Sequence, residues 1–182
     1  MLKKLLPVIC LLFTSTVFAQ IATKISSNRY IKFSLADTVL KIDTPVKNQL
    51  NNLLNKKKST SLHLLLIPTD KTGITNTSRW LAAKQQQDIY RINLSAVISK
   101  YIGETEKNLE KLFSTAEAKN FILLFDEADD LFGQRSSDEK ESNTGINYFL
   151  QRSAAFKGTI IVTCNTDNCI SLLANQNFIM VK

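Results

Sequence analysis

The sequence predicts an α/β protein with a parallel sheet flanked by helices. Residues 121–130 are Phe-Ile-Leu-Leu-Phe-Asp-Glu-Ala-Asp-Asp, five apolar residues without an amphipathic period and then a group of acids. Such a run is typical of a strand buried on both faces, as in the centre of a parallel sheet. Segments typical of strands alternate with segments typical of helices, which favours the same class. A chain of 182 residues is long enough for one domain of this kind.

The remaining elements follow from apolar spacing and from residues that start or break helices. Asp43 and Thr44 precede Pro45, which is a favourable helix start. Residues 20–43 give no clear assignment. The segments predicted after them are a helix from Pro45, a strand at 62–67, a polar loop at 68–77, a helix at 78–87, a strand at 89–94, a helix at 105–120, a strand at 121–125, a polar segment at 133–145, a helix at 146–155, and strands at 160–163 and 178–181.

The helix at 105–120 has the clearest pattern. Leu109, Leu112 and Phe113 repeat at helical spacing and give one apolar face. Glu104 and Glu106 suit the positive N-terminal end of a helix. We therefore expect this helix to pack on the predicted sheet through that face.

Two acids directly follow the most apolar strand. Ligands of parallel sheets bind beyond the carboxyl ends of the strands, where Asp126 and Glu127 would lie. One such acid can hold Mg²⁺ through its water shell, and the next can polarise a water that attacks a phosphoryl group. The pattern therefore indicates a sheet of the nucleotide-hydrolase type.

The N-terminus has the layout of a secretory signal peptide. Lys3 and Lys4 form a basic region, residues 5–13 are apolar, and residues 17–19 (Val-Phe-Ala) offer a cleavage site before Gln20. The alternative is an uncleaved membrane anchor, but the apolar run is short for a hydrocarbon core of about 30 Å. We predict a signal peptide at 1–19, export to the periplasm or medium, and no stable membrane span after cleavage.

The composition bears on nucleic-acid binding, on cysteine pairing and on the role of the single histidine. The net charge is +7, with a Lys-Lys-Lys run at 56–58 that is typical of a solvated loop, so no nucleic-acid partner is expected. After signal cleavage, Cys164 and Cys169 could pair across a very short loop or remain free thiols, and we favour free thiols. His63 lies in an apolar stretch and is expected to be a packed residue rather than a ligand.

Four segments, in this order, resemble the AAA+ ATPase family. They are residues 99–109, 125–135, 147–152 and 161–165, and the resemblance runs from about Leu62 to the C-terminus. The resemblance implies a P-loop NTPase-like fold with ATP and Mg²⁺ as cofactors, in which Asp126 helps hold the metal, Glu127 activates the attacking water and Asn165 positions that water. It also implies that Tyr101 contacts a threaded polypeptide, and that the chain can form a homo-oligomer.

The phosphate-binding loop departs from the family pattern. Residues 67–74 are Ile-Pro-Thr-Asp-Lys-Thr-Gly-Ile where the family has a Gly-Pro-Pro-Gly-Thr-Gly-Lys-Thr-like segment. Glycines let backbone N–H groups surround the phosphates, and the lysine neutralises their charge. Asp70 would place a negative charge there instead. Lys71, Thr72 and Gly73 are the candidate nucleotide contacts, with Lys71-Thr72 as a displaced lysine–threonine pair.

Two further departures concern catalysis. Asn175 and Gln176 stand where the family carries adjacent arginines, and an arginine finger contributes about 10³–10⁵ in rate where it operates. The core domain, 60–182, follows an N-terminal segment (20–59) with one helix, and the chain stops after the last core strand without the family's helical lid. We predict an AAA-type ATPase-family protein with very weak or absent hydrolysis. The alternatives are an exported, non-catalytic pseudo-ATPase that acts as a binding or scaffold module, and a truncated gene product without a settled role.

Overall fold

The computed structural model describes residues 29–31, 37, 40–56, 61–67, 70–99, 101, 103–132 and 139–181. The predicted signal peptide at 1–19 lies outside these residues. The strands are β1 (Arg29–Ile31), β2 (Leu62–Leu66), β3 (Ile89–Asn93), β4 (Ile122–Asp126), β5 (Thr159–Thr163) and β6 (Ile179–Val181). The helices are α1 (Thr44–Lys56), α2 (Lys71–Gln85), α3 (Glu104–Lys119), α4 (Asp129–Phe132), α5 (Glu139–Ala155) and α6 (Asp167–Ala174). None of these helices is both long enough and apolar enough to cross a membrane.

The six strands form one sheet in the order β1-β3-β4-β5-β2-β6. The pairs β3–β4, β4–β5, β5–β2 and β2–β6 are all parallel, which confirms the predicted parallel α/β sheet. β1 pairs antiparallel with β3 at one edge. β1 lies in residues 20–43, for which no element was predicted, because three residues at a sheet edge carry too little apolar pattern to be recognised.

Helices cover the sheet on both faces. The core cluster that contains Leu64 and Leu124 also contains Leu50 of α1 and Leu81 of α2, so these two helices share one face. The opposite face carries α3, α4, α5 and α6. All five residues of β4 are buried, as predicted for a strand with both faces covered.

An aromatic cluster fills the second face. The ring centroid of Phe125 lies 5.7 Å from that of Phe113 and 5.0 Å from that of Phe149, and Phe113 lies 5.7 Å from Phe156. The first of these pairs is tilted and the other two are edge-on, and aromatic contacts of this kind add to the free energy gained by burial alone. The cluster fixes α3 and α5 against β4, the strand that ends in the two predicted site acids.

Helix α2 begins seven residues earlier than the sequence predicted. The polar loop expected at 68–77 is wrong from Lys71 onward, where the helix starts. Thr, Gly and Asn are weak helix formers, and they fill this first part of α2. The helix forms there because the Asp70 side chain caps it by accepting from the backbone N–H of Gly73, while Thr77 and Ser78 are buried in the fold.

Helices α5 and α6 also differ from the sequence prediction. The polar segment expected at 133–145 is wrong for 139–145, which belongs to α5; residues 133–138 lie outside the described part. A Cβ on Gly145 would stand 3.1 Å from Cγ2 of Thr105, so α5 approaches α3 closely at this glycine. α6 was not predicted, although Thr166 caps it and Asp167 lies in its first turn.

A polar network joins α3 to α5 outside the core. Arg152 donates from Nε to Oε2 of Glu110 at 2.7 Å, contacts Glu117 at 3.2 Å, and stacks over the ring of Phe113. Hydrogen bonds from Arg152, Tyr148 and Ser114 lower the pKa of Glu110 from 4.5 to about 2. The charged carboxylate is therefore favoured in the folded protein.

This network predicts a loss of stability in acid. Since the folded-state pKa is lowered, the contribution of Glu110 is present above pH 4.5 and is lost as the pH falls toward about 2. Glu110→Gln should lower the free energy of unfolding at pH 7 by at most about 1 kcal/mol, because the carboxylate is partly exposed, and should flatten its fall with pH in that window. Chemical denaturation at several pH values measures both effects. Glu106→Gln, near the start of the same helix, is the control and should keep the wild-type slope; an equal slope in Glu110→Gln would contradict this assignment.

Candidate functional site

The candidate site lies at the carboxyl edge of the central strands. α2, which follows β2, packs on one face of the sheet, whereas α6, which follows β5, packs on the other. The chain therefore leaves the neighbouring strands β2 and β5 toward opposite faces. This is the arrangement at which parallel sheets open a crevice for ligands.

Asp126 is the last residue of β4 and both of its carboxylate oxygens are hydrogen bonded. Oδ1 accepts from the Thr163 hydroxyl at 2.8 Å. Oδ2 accepts from Nε of Arg91 at 3.0 Å and from Nη2 of the same guanidinium. The Asp126 side chain is 12% exposed and that of Arg91 is 38% exposed, so the carboxylate end of this ion pair is the better shielded from water.

Glu127 follows in a backbone conformation that L-residues rarely adopt, with φ +55°. Its N–H donates to the Thr163 hydroxyl at 3.0 Å, and the next N–H, of Ala128, donates to the Thr163 carbonyl. These bonds turn the chain out of the strand and leave the Glu127 side chain exposed. Its Oε1 lies 3.3 Å from Nζ of Lys71.

The predicted nucleotide contacts occupy the first turn of α2. Lys71, Thr72 and Gly73 are its first three residues, so the displaced lysine–threonine pair does stand at a helix start. The Gly73 N–H, however, is bonded to the Asp70 carboxylate, and Lys71 points to Glu127. The Lys71 side chain is 88% exposed, and such exposed pairs contribute about 0–1 kcal/mol. The pair is weak, but it brings Lys71 to the predicted site acids.

Asn165 lies beside a different acid. Its backbone N–H and side-chain amide donate to Asp129 at 2.9 and 3.2 Å, and the Thr166 N–H and hydroxyl donate to the same carboxylate at 2.8 and 2.7 Å. Partial burial alone would raise the pKa of Asp129, but the bonds from Thr166 and Asn165 outweigh it and lower the pKa below its ordinary value. The Asn165 side chain is thus engaged with α4, and its role toward a water remains a prediction.

The two cysteines form a disulfide, so the expected free thiols are wrong. Cys164 and Cys169 are both fully buried, one at the end of β5 and the other in the first turn of α6, with their Cα atoms 6.0 Å apart. The first turn of the helix brings the second cysteine back beside the strand end. This return was not visible in the sequence because α6 itself was not predicted.

The side chains of the site do not fit a Mg²⁺ ion at Asp126 as they stand. Mg²⁺ takes oxygen ligands and favours uncompensated carboxylates. Here Asp126 and Glu127 each contact a cation of the chain itself. The triphosphate of ATP meets a similar obstacle, because the Asp70 carboxylate occupies the Gly73 N–H at the helix start.

Tyr101 is a surface residue. The residue is 74% exposed, and its backbone N–H donates to the Ser99 hydroxyl at 3.2 Å. Ser99 in turn bonds Glu104 at the start of α3. The Tyr101 ring is therefore exposed to solvent, while its backbone is linked through Ser99 to the start of α3.

Sequence reasoning missed three residues that shape the site. Arg91, Thr163 and Asp129 reach the predicted residues only across strands or loops, by contacts 35, 37 and 36 residues apart in sequence. Asp129 belongs to the acidic group after β4 and could have been considered on that ground. Arg91 and Thr163 carry no local signal beyond their place near the ends of predicted strands.

A cavity lies at the other end of the sheet. It has a volume of about 390 Å³ and is bordered by the start of β2 at Leu62 and His63, the start of β6 at Ile179, and the ends of α1 and α5. His63 packs against the ring of Phe178 and donates from Nε2 to the Phe156 carbonyl at 3.2 Å, as a packed residue does. The cavity adjoins none of the predicted site residues.

The hydrogen bonds to Asp129 predict that its substitution lowers the stability of the protein. Asp129→Ala should lower the free energy of unfolding by about 2–3 kcal/mol, because donors in the 165–166 turn lose a charged acceptor. Asp129→Asn should cost less, and its difference from wild type should shrink as the pH falls below 3.8, since the lowered pKa makes this contribution one that acid removes. Denaturant unfolding at pH 7 and at lower pH measures it.

The neighbouring acid supplies the control. Asp167 is exposed and lies in the first turn of α6, so Asp167→Ala should cost less than about 1 kcal/mol through the helix dipole alone. Equal losses for Asp129→Ala and Asp167→Ala would contradict the assignment of Asp129 as the residue that holds the turn.

Known proteins share this sequence pattern. A 37% identical segment of 84 residues in fidgetin-like protein 1 of Caenorhabditis briggsae covers 46% of this chain and 14% of that protein. Fidgetin-like protein 1 of Drosophila melanogaster is 35% identical over 89 residues, which cover 48% of this chain and 17% of that protein. An uncharacterised AAA domain-containing protein of Schizosaccharomyces pombe is 29% identical over 133 residues, 64% of this chain and 18% of that protein.

These matches span less than a fifth of each of the three relatives. The family model described as "ATPase family associated with various cellular activities (AAA)" matches residues 64–178, from β2 to the residue before β6. That match covers β3, β4, β5 and most of β2, together with the acids after β4 and the turn after β5. The chain belongs to the AAA ATPase family.

Proposed function

We propose that this chain is an AAA module whose ATP hydrolysis is very weak or absent. The observation that carries the proposal is the Asp70 carboxylate on the Gly73 N–H at the start of α2. A helix start binds phosphate through free N–H groups and a positive dipole end. At this helix start an N–H is already used, and the acid that uses it adds a negative charge that repels a triphosphate.

The residues that would act on the nucleotide support the same proposal. Lys71 is paired with Glu127, and Asp126 is paired with Arg91. In the family, ATP and Mg²⁺ supply the phosphoryl group and the charge neutralisation. In this chain the two acids already have cationic partners, so the site has little uncompensated negative charge left for a metal–nucleotide complex.

Nucleotide titration tests the proposal. The wild-type protein should give no saturable binding of a fluorescent ATP analogue up to millimolar concentration, with or without Mg²⁺, and no phosphate release that depends on Glu127. Asp70→Asn keeps a capping oxygen and removes the charge, so it should raise the affinity for the analogue by about tenfold.

The charge control is Asp88→Asn, which lies just before β3 at the amino edge of the sheet. It should leave the titration unchanged. Saturable Mg²⁺-dependent binding by the wild type, with turnover abolished by Glu127→Gln, would overturn the proposal.

A binding role remains available to a module that does not hydrolyse ATP. We propose that Tyr101 contributes to a polypeptide-binding surface, since its ring is exposed and its backbone N–H is bonded to the Ser99 hydroxyl. A large, rigid aromatic side chain offers contact area at low entropic cost. Assembly into a homo-oligomer stays a prediction.

Polypeptide binding is measurable by fluorescence anisotropy with a labelled, unfolded model polypeptide. Tyr101→Ala should weaken binding by about tenfold, as expected for loss of an aromatic contact, while Tyr101→Phe should retain it. A comparable loss in Ile179→Ala, which removes another exposed apolar side chain at the far edge of the sheet, would show that the effect is not specific to Tyr101.

We also propose that the protein works in an oxidising compartment outside the cytoplasm. The basic and apolar segments at the N-terminus support export. The Cys164–Cys169 disulfide supports it independently, because disulfides persist in exported proteins and are rare in reducing compartments.

A further inference from the structure

Arg91 is placed by the sheet so that it can reach the metal position of the site. Its strand, β3, is parallel to β4, and Arg91 is aligned with Leu124 while Asn93 is aligned with Asp126. Arg91 thus stands two residues before the strand position level with Asp126. An arginine side chain is long enough to run along the sheet from there to its carboxyl edge.

The contact made at that edge is a charged and geometrically constrained one. Two N–H groups of the guanidinium converge on one oxygen of Asp126, and the Thr163 hydroxyl bonds the other oxygen. Arginine does not lose its proton in proteins, so the positive charge beside Asp126 is permanent. Because the Asp126 side chain is only 12% exposed, water screens this charge less than it screens the Lys71–Glu127 pair.

A divalent cation would have to displace this guanidinium or bind next to it. Displacement leaves Arg91 without its partner in a partly buried place, and binding alongside sets two positive charges close together. We infer that Arg91 is a tethered cation that takes the place of the divalent metal at Asp126 and so closes the metal site of this AAA module. The inference rests on the proposed loss of hydrolysis, for which it supplies a second cause besides the phosphate loop.

The inference predicts that removing the charge of Arg91 opens a metal site. Mn²⁺ serves as the probe, with free Mn²⁺ followed by electron paramagnetic resonance and no nucleotide present. The wild type should have no Mn²⁺ site that depends on Asp126. Arg91→Gln should gain one such site, whose affinity for Mn²⁺ is at least about tenfold higher than any Mn²⁺ binding by the wild type. Adding Asp126→Asn to Arg91→Gln should abolish it.

Thermal unfolding gives a second readout. Arg91→Gln should unfold at a lower temperature than the wild type without metal, and Mg²⁺ should raise its midpoint while leaving the wild-type midpoint unchanged. Arg79→Ala is the matched control. It removes another partly buried arginine–aspartate pair, Arg79–Asp37, in which the arginine side chain is 40% exposed compared with 38% for Arg91. Its midpoint should fall without recovery by Mg²⁺.

Two outcomes of the Arg91→Gln comparison would overturn the inference. One is a wild-type protein that binds Mn²⁺ in an Asp126-dependent manner as tightly as Arg91→Gln. The other is a folded Arg91→Gln that binds no Mn²⁺. If Arg91→Gln does not fold, Arg91→Lys keeps the positive charge without the paired N–H groups of the guanidinium. It should bind Mn²⁺ with a dissociation constant above about 1 mM, and tighter binding would also overturn the inference. Since nucleotide is absent, these results are separate from any ATP turnover by the wild type, which bears on the proposed function alone.

Discussion

Strand β4 is buried on both faces and hydrogen bonded on both sides, by β3 and by β5. This pairing positions the groups that surround the Asp126 carboxylate. Asp126 ends the strand, Arg91 reaches it from β3, and Thr163 reaches it from β5. A parallel sheet brings the carboxyl ends of its strands to one edge, so residues far apart in sequence meet there without any local preference to do so. The aromatic cluster on Phe125 holds the strand in this register.

The groups at this edge are largely compensated by one another. Arg91 neutralises Asp126, Lys71 faces Glu127, and the Asp70 carboxylate satisfies a helix-start N–H. The three contacts differ in strength because their exposure differs. Water screens the attraction between Lys71 and Glu127. It screens the attraction between Arg91 and Asp126 less, because the Asp126 side chain is mostly buried. The Asp126 carboxylate is therefore the most firmly paired group of the site, whereas Lys71 can move at little cost.

The turn after β5 is fixed by two different constraints. The disulfide closes the loop between Cys164 and Cys169, and Asp129 holds the Asn165–Thr166 segment of that loop through several donors. The same bonds direct the Asn165 amide to α4. Asn165, which the sequence predicts to position a water, thus serves in this structure to dock a loop. The backbone of Glu127, at φ +55°, is held by the hydrogen bond from its N–H to the Thr163 hydroxyl. Such a conformation costs free energy and persists only where neighbouring contacts hold it.

The sequence by itself determined the class of fold, the order of most strands and helices, and the position of Asp126 and Glu127 at the end of a buried strand. Those features depend on apolar runs and helical spacing, which are local along the chain. The beginning of α2, the edge strand β1 and helix α6 were decided by tertiary structure, because capping and packing stabilise short or weakly patterned segments there. The pairing of Cys164 with Cys169 and the partners of Asp126, Lys71 and Asn165 were decided in the same way. Each of these contacts depends on which strand ends and helix starts become neighbours in the fold. The sequence shows which residues are charged, but it does not show which charged residues will meet.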